Sequence, residues 1–258
     1  MIRVVISGTG QMGTLIIGAV EDEDDMSPVG ILEPISPIHS SSDGLPLQSD
    51  PGELFRATSP DVVVDFTNAE AAPALVEAAL EYNVCPVIGT SGIADKTLKR
   101  LREGCAKQGL GAVVAPNFAI GAVLLMYMAR LGSQYFHSAE IIELHHDEKV
   151  DAPSGTALMT ARLMREMRTS NFRHNEPALT HIDGTRGGVE GGVGIHSVRL
   201  PGLVAHQEVI FGGQGQTLTL RHDSTGRDSF VPGVLLAIRE VIEQDHLVEG
   251  LDQLVGLS

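Results

Sequence analysis

The densest chemistry in the chain lies in thirteen residues, His145-His146-Asp147-Glu148-Lys149-Val150-Asp151-Ala152-Pro153-Ser154-Gly155-Thr156-Ala157. Two imidazoles and a lysine standing together can hold an anion and deliver a proton near neutral pH. Ser154 or a neighbour is placed to cap the helix that follows. The N–H groups of Gly155 and Thr156, with the Thr156 hydroxyl, would form a carboxylate site at that helix N-terminus. A metal fits less well. Neighbouring residues on a strand point to opposite faces, so His145 and His146 do not readily share one ion, and no cysteine cluster or H-E-x-x-H accompanies them. No metal is expected. The residues alone leave two plainer readings open, a solvated charged turn ahead of a capped helix or a structural core histidine.

A second constellation stands near the start. Gly8-Thr9-Gly10-Gln11-Met12-Gly13 follows a strand-like run and opens a helix-like one. The first glycine permits the tight turn and the second lets backbone approach a pyrophosphate. The third allows the helix to pack closely on the strand. Glu33 lies 20 residues beyond Gly13, at the end of a second strand, where a carboxylate takes adenine ribose hydroxyls. Pattern and context together point to a dinucleotide. Gly89-Thr90-Ser91-Gly92 and Ala115-Pro116-Asn117-Phe118 follow later strands, at the sheet edge where open α/β folds bind ligands. Both are candidates for the nicotinamide end.

The elements that position these groups follow from periodicity. Strands are expected at Ile2–Ser7, Val29–Glu33, Asp61–Phe66, Val84–Ile88 and Ala112–Ala115. Helices are expected between them at Met12–Glu21, Glu70–Tyr82 and Lys96–Gln108, with Pro73 tolerable only in a first turn. Ile35–Pro51, rich in Ser, Pro and Asp, reads as loop. That rhythm is βαβ, so the fold class is α/β with a Rossmann-like dinucleotide-binding domain over 1–117. Beyond it come a helix at Gly121–Tyr135, a strand at Glu140–His146 and a helix at Gly155–Met167. Three long runs then follow without helices, at Val193–Leu200, Val204–Phe211 and Thr217–His222. They predict a mixed-sheet α+β domain over 118–228 for substrate binding and oligomerisation. A last helix at Phe230–Gln244 returns, with 229–258, to the first domain.

Composition excludes several classes. The chain has 258 residues, 43% of them hydrophobic and 20% charged, with a formal net charge of −15. That balance is globular and not disordered. So acidic a protein is a poor fit to nucleic acid or an anionic membrane, whose phosphates demand a basic face. A small anionic substrate remains compatible, since a few cations in a cleft outweigh the global field. Cys85 and Cys105 form no C-x-x-C pair, and no segment offers about 18 uncharged apolar residues. The opening MIRVVISGTG enters a strand pattern at once. A soluble, cytoplasmic, untargeted protein is expected.

The thirteen-residue run, preceded by the strand Glu140-Ile141-Ile142-Glu143, resembles the signature of the bacterial 4-hydroxy-tetrahydrodipicolinate reductase (dihydrodipicolinate reductase) family. The similarity extends to the G-x-G-x-M-G loop, Asp65-Phe66-Thr67, the G-T-S-G loop, the A-x-N-F segment and Arg227…Phe230…Gly233, in family order. It covers essentially the whole chain. The resemblance implies NADH- or NADPH-dependent reduction of (2S,4S)-4-hydroxy-2,3,4,5-tetrahydrodipicolinate to tetrahydrodipicolinate and water, in diaminopimelate and lysine biosynthesis. It implies His145 as proton donor or acceptor, Lys149 as proton donor, His146 as a substrate contact, and Gly155 and Thr156 on a substrate carboxylate. Cofactor contacts would fall to Gly8, Thr9, Gly10, Gln11, Met12 and Gly13, to Glu33, to Gly89, Thr90 and Ser91, and to Ala115, Pro116, Asn117 and Phe118. A homotetramer closing its cleft by hinge motion is also implied. Pro34 stands where some relatives carry a basic residue, so NADH is expected to be preferred over NADPH. The rival readings are a different Rossmann-type oxidoreductase and a nicotinamide-sensing protein that does not turn over. The string H-H-x-x-K…S-G-T favours the reductase.

Overall fold

In the computed structural model, residues 1–34 and 44–257 are described. The chain divides into two compact units, Met1–Ile120 with Arg227–Ser258, and Gly121–Gly226.

The first unit is built on a seven-stranded parallel sheet. Its strands are β1 (Ile2–Ser7), β2 (Met26–Leu32), β3 (Leu47–Gln48), β4 (Val62–Asp65), β5 (Cys85–Ile88), β6 (Ala112–Val114) and β12 (Leu247–Glu249). Their order across the sheet is β12-β6-β5-β4-β1-β2-β3. β4 reads Val-Val-Val-Asp and is buried along its whole length, as a central strand covered on both faces must be. Four helices connect the strands: α1 (Gln11–Glu21), α2 (Pro51–Thr58), α3 (Ala72–Tyr82) and α4 (Asp95–Gln108). α1 buries Gly13, Ile16, Ile17 and Val20, one stripe at helical spacing. α4 is strongly charged yet buries Thr97, Leu101, Gly104 and Cys105 on a single face. Pro73 sits in the first turn of α3, where its missing N–H costs nothing. A short 3-10 turn at Arg227–Phe230 leads into α7 (Val231–Val241), and Gly233 lies so close to Phe118 that a Cβ there would meet the Phe118 carbonyl oxygen at 2.0 Å.

The expected elements need three corrections here, one of them β12, which no expected strand covers. The stretch read as loop ends in an edge strand, because Leu47 and Gln48 pair with Ile31 and Leu32; two residues are too few to show a period. α2 was not foreseen. Asp50 caps it through the Glu53 N–H, Pro51 opens it and Ser59 closes it in the left-handed region at φ 43°. Residues 35–43 of that stretch lie outside the described residues.

The second unit is a five-stranded mixed sheet backed by two helices. β7 (Ser138–His145), β8 (Gly188–Glu190), β9 (Val193–Arg199), β10 (Ala205–Gly213) and β11 (Gln216–Ser224) lie in the order β11-β10-β7-β9-β8. β7 and β9 run parallel; β10 is antiparallel to both β7 and β11. Alternate residues Ala139, Ile141, Val193, Ile195, Val209 and Phe211 form a core with α5 (Ile120–Gly132) and α6 (Gly155–Glu166). The other face carries half-buried Ile142, Leu144, Val198 and Ile210.

Candidate active site

In the first unit the candidate cofactor residues gather at the carboxyl edge of the parallel sheet. Gly8 adopts φ +102°, open to glycine at little cost, and its N–H donates to the Leu32 carbonyl across β1 and β2. A Cβ on Gly13 would fall 1.9 Å from the Gly8 carbonyl oxygen, so this helix start tolerates only glycine; above Gly10 the space is open. No side chain caps α1 and its first turn holds no acidic residue. Its N–H groups are therefore directed at whatever occupies the loop. Glu33 follows directly after β2 and is 5% exposed. Its Oε2 accepts from the Thr9 backbone N–H at 2.9 Å and from the Thr9 hydroxyl at 2.5 Å.

The later loops are tied to the same edge. Buried Asp65, at the end of β4, accepts from the hydroxyls of Thr67 and Thr90, each at 2.7 Å. The Gly89 N–H donates to the Asp65 carbonyl, and the Ala115 N–H to that of Ile88. Phe118 is 1% exposed and packs on Phe66 with ring centroids 5.3 Å apart. Its side chain thus belongs to the core, leaving backbone as the part of it open to a ligand. Ser91 and Pro116 are exposed, and the Asn117 side chain accepts from the Ala119 N–H. A cavity of about 470 Å³ opens beside Ser7, Leu32, Pro34, Asn68 and Ala71. The Ser7 hydroxyl there is buried and has no hydrogen-bond partner.

In the second unit the signature segment folds around one buried carboxylate. His145 ends β7, and its Nδ1 lies 2.5 Å from Glu143 Oε2. The Glu143 side chain is wholly buried. Arg199, opposite His145 in the β7–β9 register, donates to both its oxygens, at 2.9 and 2.8 Å. The Ser154 N–H adds a bond to Oε1 at 3.2 Å. Burial alone would push this carboxyl up, but the hydrogen bonds from His145, Arg199 and Ser197 outweigh it and hold the pKa at about 2. Glu143 is therefore ionised and accepts only.

Lys149 sits in the turn that follows and donates to Asp151 at 2.6 Å, which lowers the Asp151 pKa. Arg199 reaches the same turn through the Asp151 carbonyl at 2.7 Å. Ser154 caps α6 by accepting from the Ala157 N–H, as its residue type foretells. Gly155 and Thr156 open the helix with no acid in its first turn. His146 is exposed, and its carbonyl accepts the Lys149 N–H. His145, Lys149, Gly155 and Thr156 are thus brought together by one network. Among the described residues, no group of three or more His, Cys, Asp or Glu could hold a metal ion.

Four residues have roles that the sequence reading does not assign: Glu143 and Arg199 as the centre of that network, Asp65 as the tie between loops, and Arg227. Arg227 donates to the Gln11 side chain of the glycine loop, although it is 216 positions away in the chain. Glu143 carried a usable signal. It occupies the inward register of Ala139 and Ile141, where a carboxylate demands partners.

Models of known families match both parts of the chain: the N-terminal part of dihydrodipicolinate reductase over residues 2–118, and its C-terminal part over 121–255. A 4-hydroxy-tetrahydrodipicolinate reductase from Moorella thermoacetica is 47% identical over 262 residues, covering 98% of each chain. One from Bacillus licheniformis is 43% identical over 261 residues, again covering 98% of each. The solved dipicolinate-bound dihydrodipicolinate reductase from Paenisporosarcina sp. TG-14 superimposes with a TM-score of 0.91 at 42% identity, over 98% of this chain and 99% of that one. With glycine loop, buried carboxylate and capped signature helix all in place, the chain belongs to the dihydrodipicolinate reductase family.

Proposed function

We propose that this chain reduces 4-hydroxy-tetrahydrodipicolinate to tetrahydrodipicolinate and water, with NADH as its preferred reductant and NADPH also used. The observation that carries this reading is one hydrogen-bond network centred on buried Glu143, which joins an imidazole and an acid-free helix N-terminus directly and an ammonium through Arg199 and Asp151. The glycine loop fits a dinucleotide: α1 begins without a cap, Gly10 leaves open space, and Gly13 admits nothing larger. Gly8 to Gly13 would hold the phosphates. Glu33 would take the adenine ribose hydroxyls, with the adenosine side over the cavity beside Ser7. Held there, a reduced nicotinamide would supply the hydride for an unsaturated ring carbon of the substrate. Gly155 and Thr156 hold one substrate carboxylate by their N–H groups and the Thr156 hydroxyl. Lys149 and His145 hold the proton that completes the reduction. One hydride and one proton enter, and the 4-hydroxyl leaves as water.

The cofactor preference rests on Glu33 and Pro34. A 2′-phosphate placed beside Glu33 meets a like charge, and Pro34 has no N–H to offer it. Assembly as a homotetramer fits the half-buried apolar face of the second unit's sheet, and a cytoplasmic setting fits two free cysteines. Among the described residues no helix is long and apolar enough to cross a membrane. The test follows loss of reduced-nicotinamide absorbance with enzymatically generated substrate, with each cofactor in turn. No consumption would overturn the reading. Equal kcat/KM values, or a preference for NADPH, would overturn the Glu33 argument alone. In Glu33→Ala the NADH advantage should shrink by about 1–2 kcal/mol, the scale of hydrogen bonds to a charged group.

A further inference from the structure

The structure assigns Glu143, clamped by Arg199, as the positioning residue that fixes the tautomer and direction of His145. This inference rests on the reading that His145 takes part in proton transfer. Glu143 accepts from Arg199 at both oxygens, from His145 at Oε2 and from the Ser154 N–H at Oε1. With both oxygens engaged by more than one donor, the carboxylate is held against rotation. An acceptor-only partner requires the proton of neutral His145 to sit on Nδ1. Nε2 is then the nitrogen left to exchange a proton. A free imidazole has no such constraint, and its ring can flip.

The carboxylate touches the imidazole directly, and the guanidinium holds that carboxylate in place at both oxygens. The same guanidinium also donates to the Asp151 carbonyl, and Asp151 holds Lys149. One buried ion pair therefore sets imidazole, lysine turn and helix start relative to one another. A buried pair kept for stability alone would need neither the His145 nor the Asp151 bond, since well-packed apolar residues often do as well.

The experiment is long-range nitrogen–proton NMR of the imidazoles in the full chain, with His145 assigned by the signal missing from His145→Gln. For the neutral ring, read on the alkaline side of its titration, the expected wild-type result is a proton on Nδ1 and none on Nε2. In Glu143→Gln the Nε2–H form should appear, and kcat should fall at least about tenfold while cofactor KM stays unchanged. Arg199→Lys, which keeps the charge and loses the fork, should give an intermediate kcat. A neutral wild-type His145 that carries its proton on Nε2 overturns the inference, and that measurement needs no variant of Glu143 to fold. So does a Glu143→Gln enzyme with unchanged tautomer and a kcat within about threefold of wild type. Full turnover by His145→Gln would instead overturn the proton-transfer reading itself, and with it the functional part of this inference.

Discussion

Acid should weaken the second unit, and Glu143 should carry a separable part of that loss. Glu143 has a pKa of about 2 in the folded chain against an ordinary 4.5. A carboxylate depressed on folding stabilises fully above its unfolded value, and that stability is lost as pH falls toward the folded value. The window therefore runs from about pH 5 down to about pH 2. At about 1.36 kcal/mol per tenfold change in proton affinity, the drop corresponds to something on the order of 3 kcal/mol. The side chain is wholly buried, so solvent screening removes little of it. About 2 kcal/mol of this would be gone by pH 3. For a domain whose net stability is about 5–15 kcal/mol, that is a large share. Glu140, Asp151 and Asp223 in the same unit are also depressed by their cationic partners, so wild-type acid loss alone does not identify Glu143. Denaturant titrations of wild type and Glu143→Gln at pH 6 and pH 3 separate them. The variant should be less stable at pH 6, because Arg199 has lost its counter-charge, but should lose about 2 kcal/mol less on acidification. Parallel losses in the two proteins would refute the reasoning. Carbon NMR of the wild-type Glu143 carboxyl gives a second reading that needs no variant: titration near 4.5 would refute it equally.

Lys149→Met should lower kcat by about 10²- to 10⁴-fold with nearly unchanged cofactor binding, the usual scale for a lost general acid; a loss under about threefold removes Lys149 from the mechanism. Pyridine-2,6-dicarboxylate should compete with substrate and bind more tightly once reduced cofactor is present, and Thr156→Ala should weaken it. Inhibition indifferent to substrate concentration, or unchanged in that variant, would show the anion site to be elsewhere. Gly13→Ala should abolish cofactor binding as followed by fluorescence titration, because its Cβ would sit 1.9 Å from the Gly8 carbonyl oxygen and backbone must move. Wild-type affinity in that variant would show that the loop is not the phosphate site.

What the sequence discloses and what it hides divide along the range of the interactions. Ile2–Ser7, the glycine loop after it and the Ser154 cap are local matters of alternation, conformational freedom and side-chain reach, and all are legible residue by residue. α2 was legible in principle, since Asp50-Pro51-Gly52-Glu53 is a cap, a helix opener and a first-turn acid. Its eight residues, beside a Ser- and Pro-rich stretch, gave too little periodicity. β3 and β12 are shorter still and exist because neighbouring strands supply hydrogen bonds.

The site's centre is hidden for a different reason. The alternation that sends Ala139 and Ile141 into the core also sends Glu143 inward and brings His145 to the end of the same row. Near Glu143 in sequence only His145 meets it, through one oxygen. The cation arrives from Arg199, 56 positions away, and only because β9 runs parallel to β7 in the register that sets Arg199 beside His145. Shifting that register by one residue would turn Arg199 to the opposite face and leave the carboxylate unpaired in the core. The core's pairing and the site's chemistry therefore constrain one another: Ile141 and Ile195 lock the strands, and the locked strands place the guanidinium that holds the imidazole.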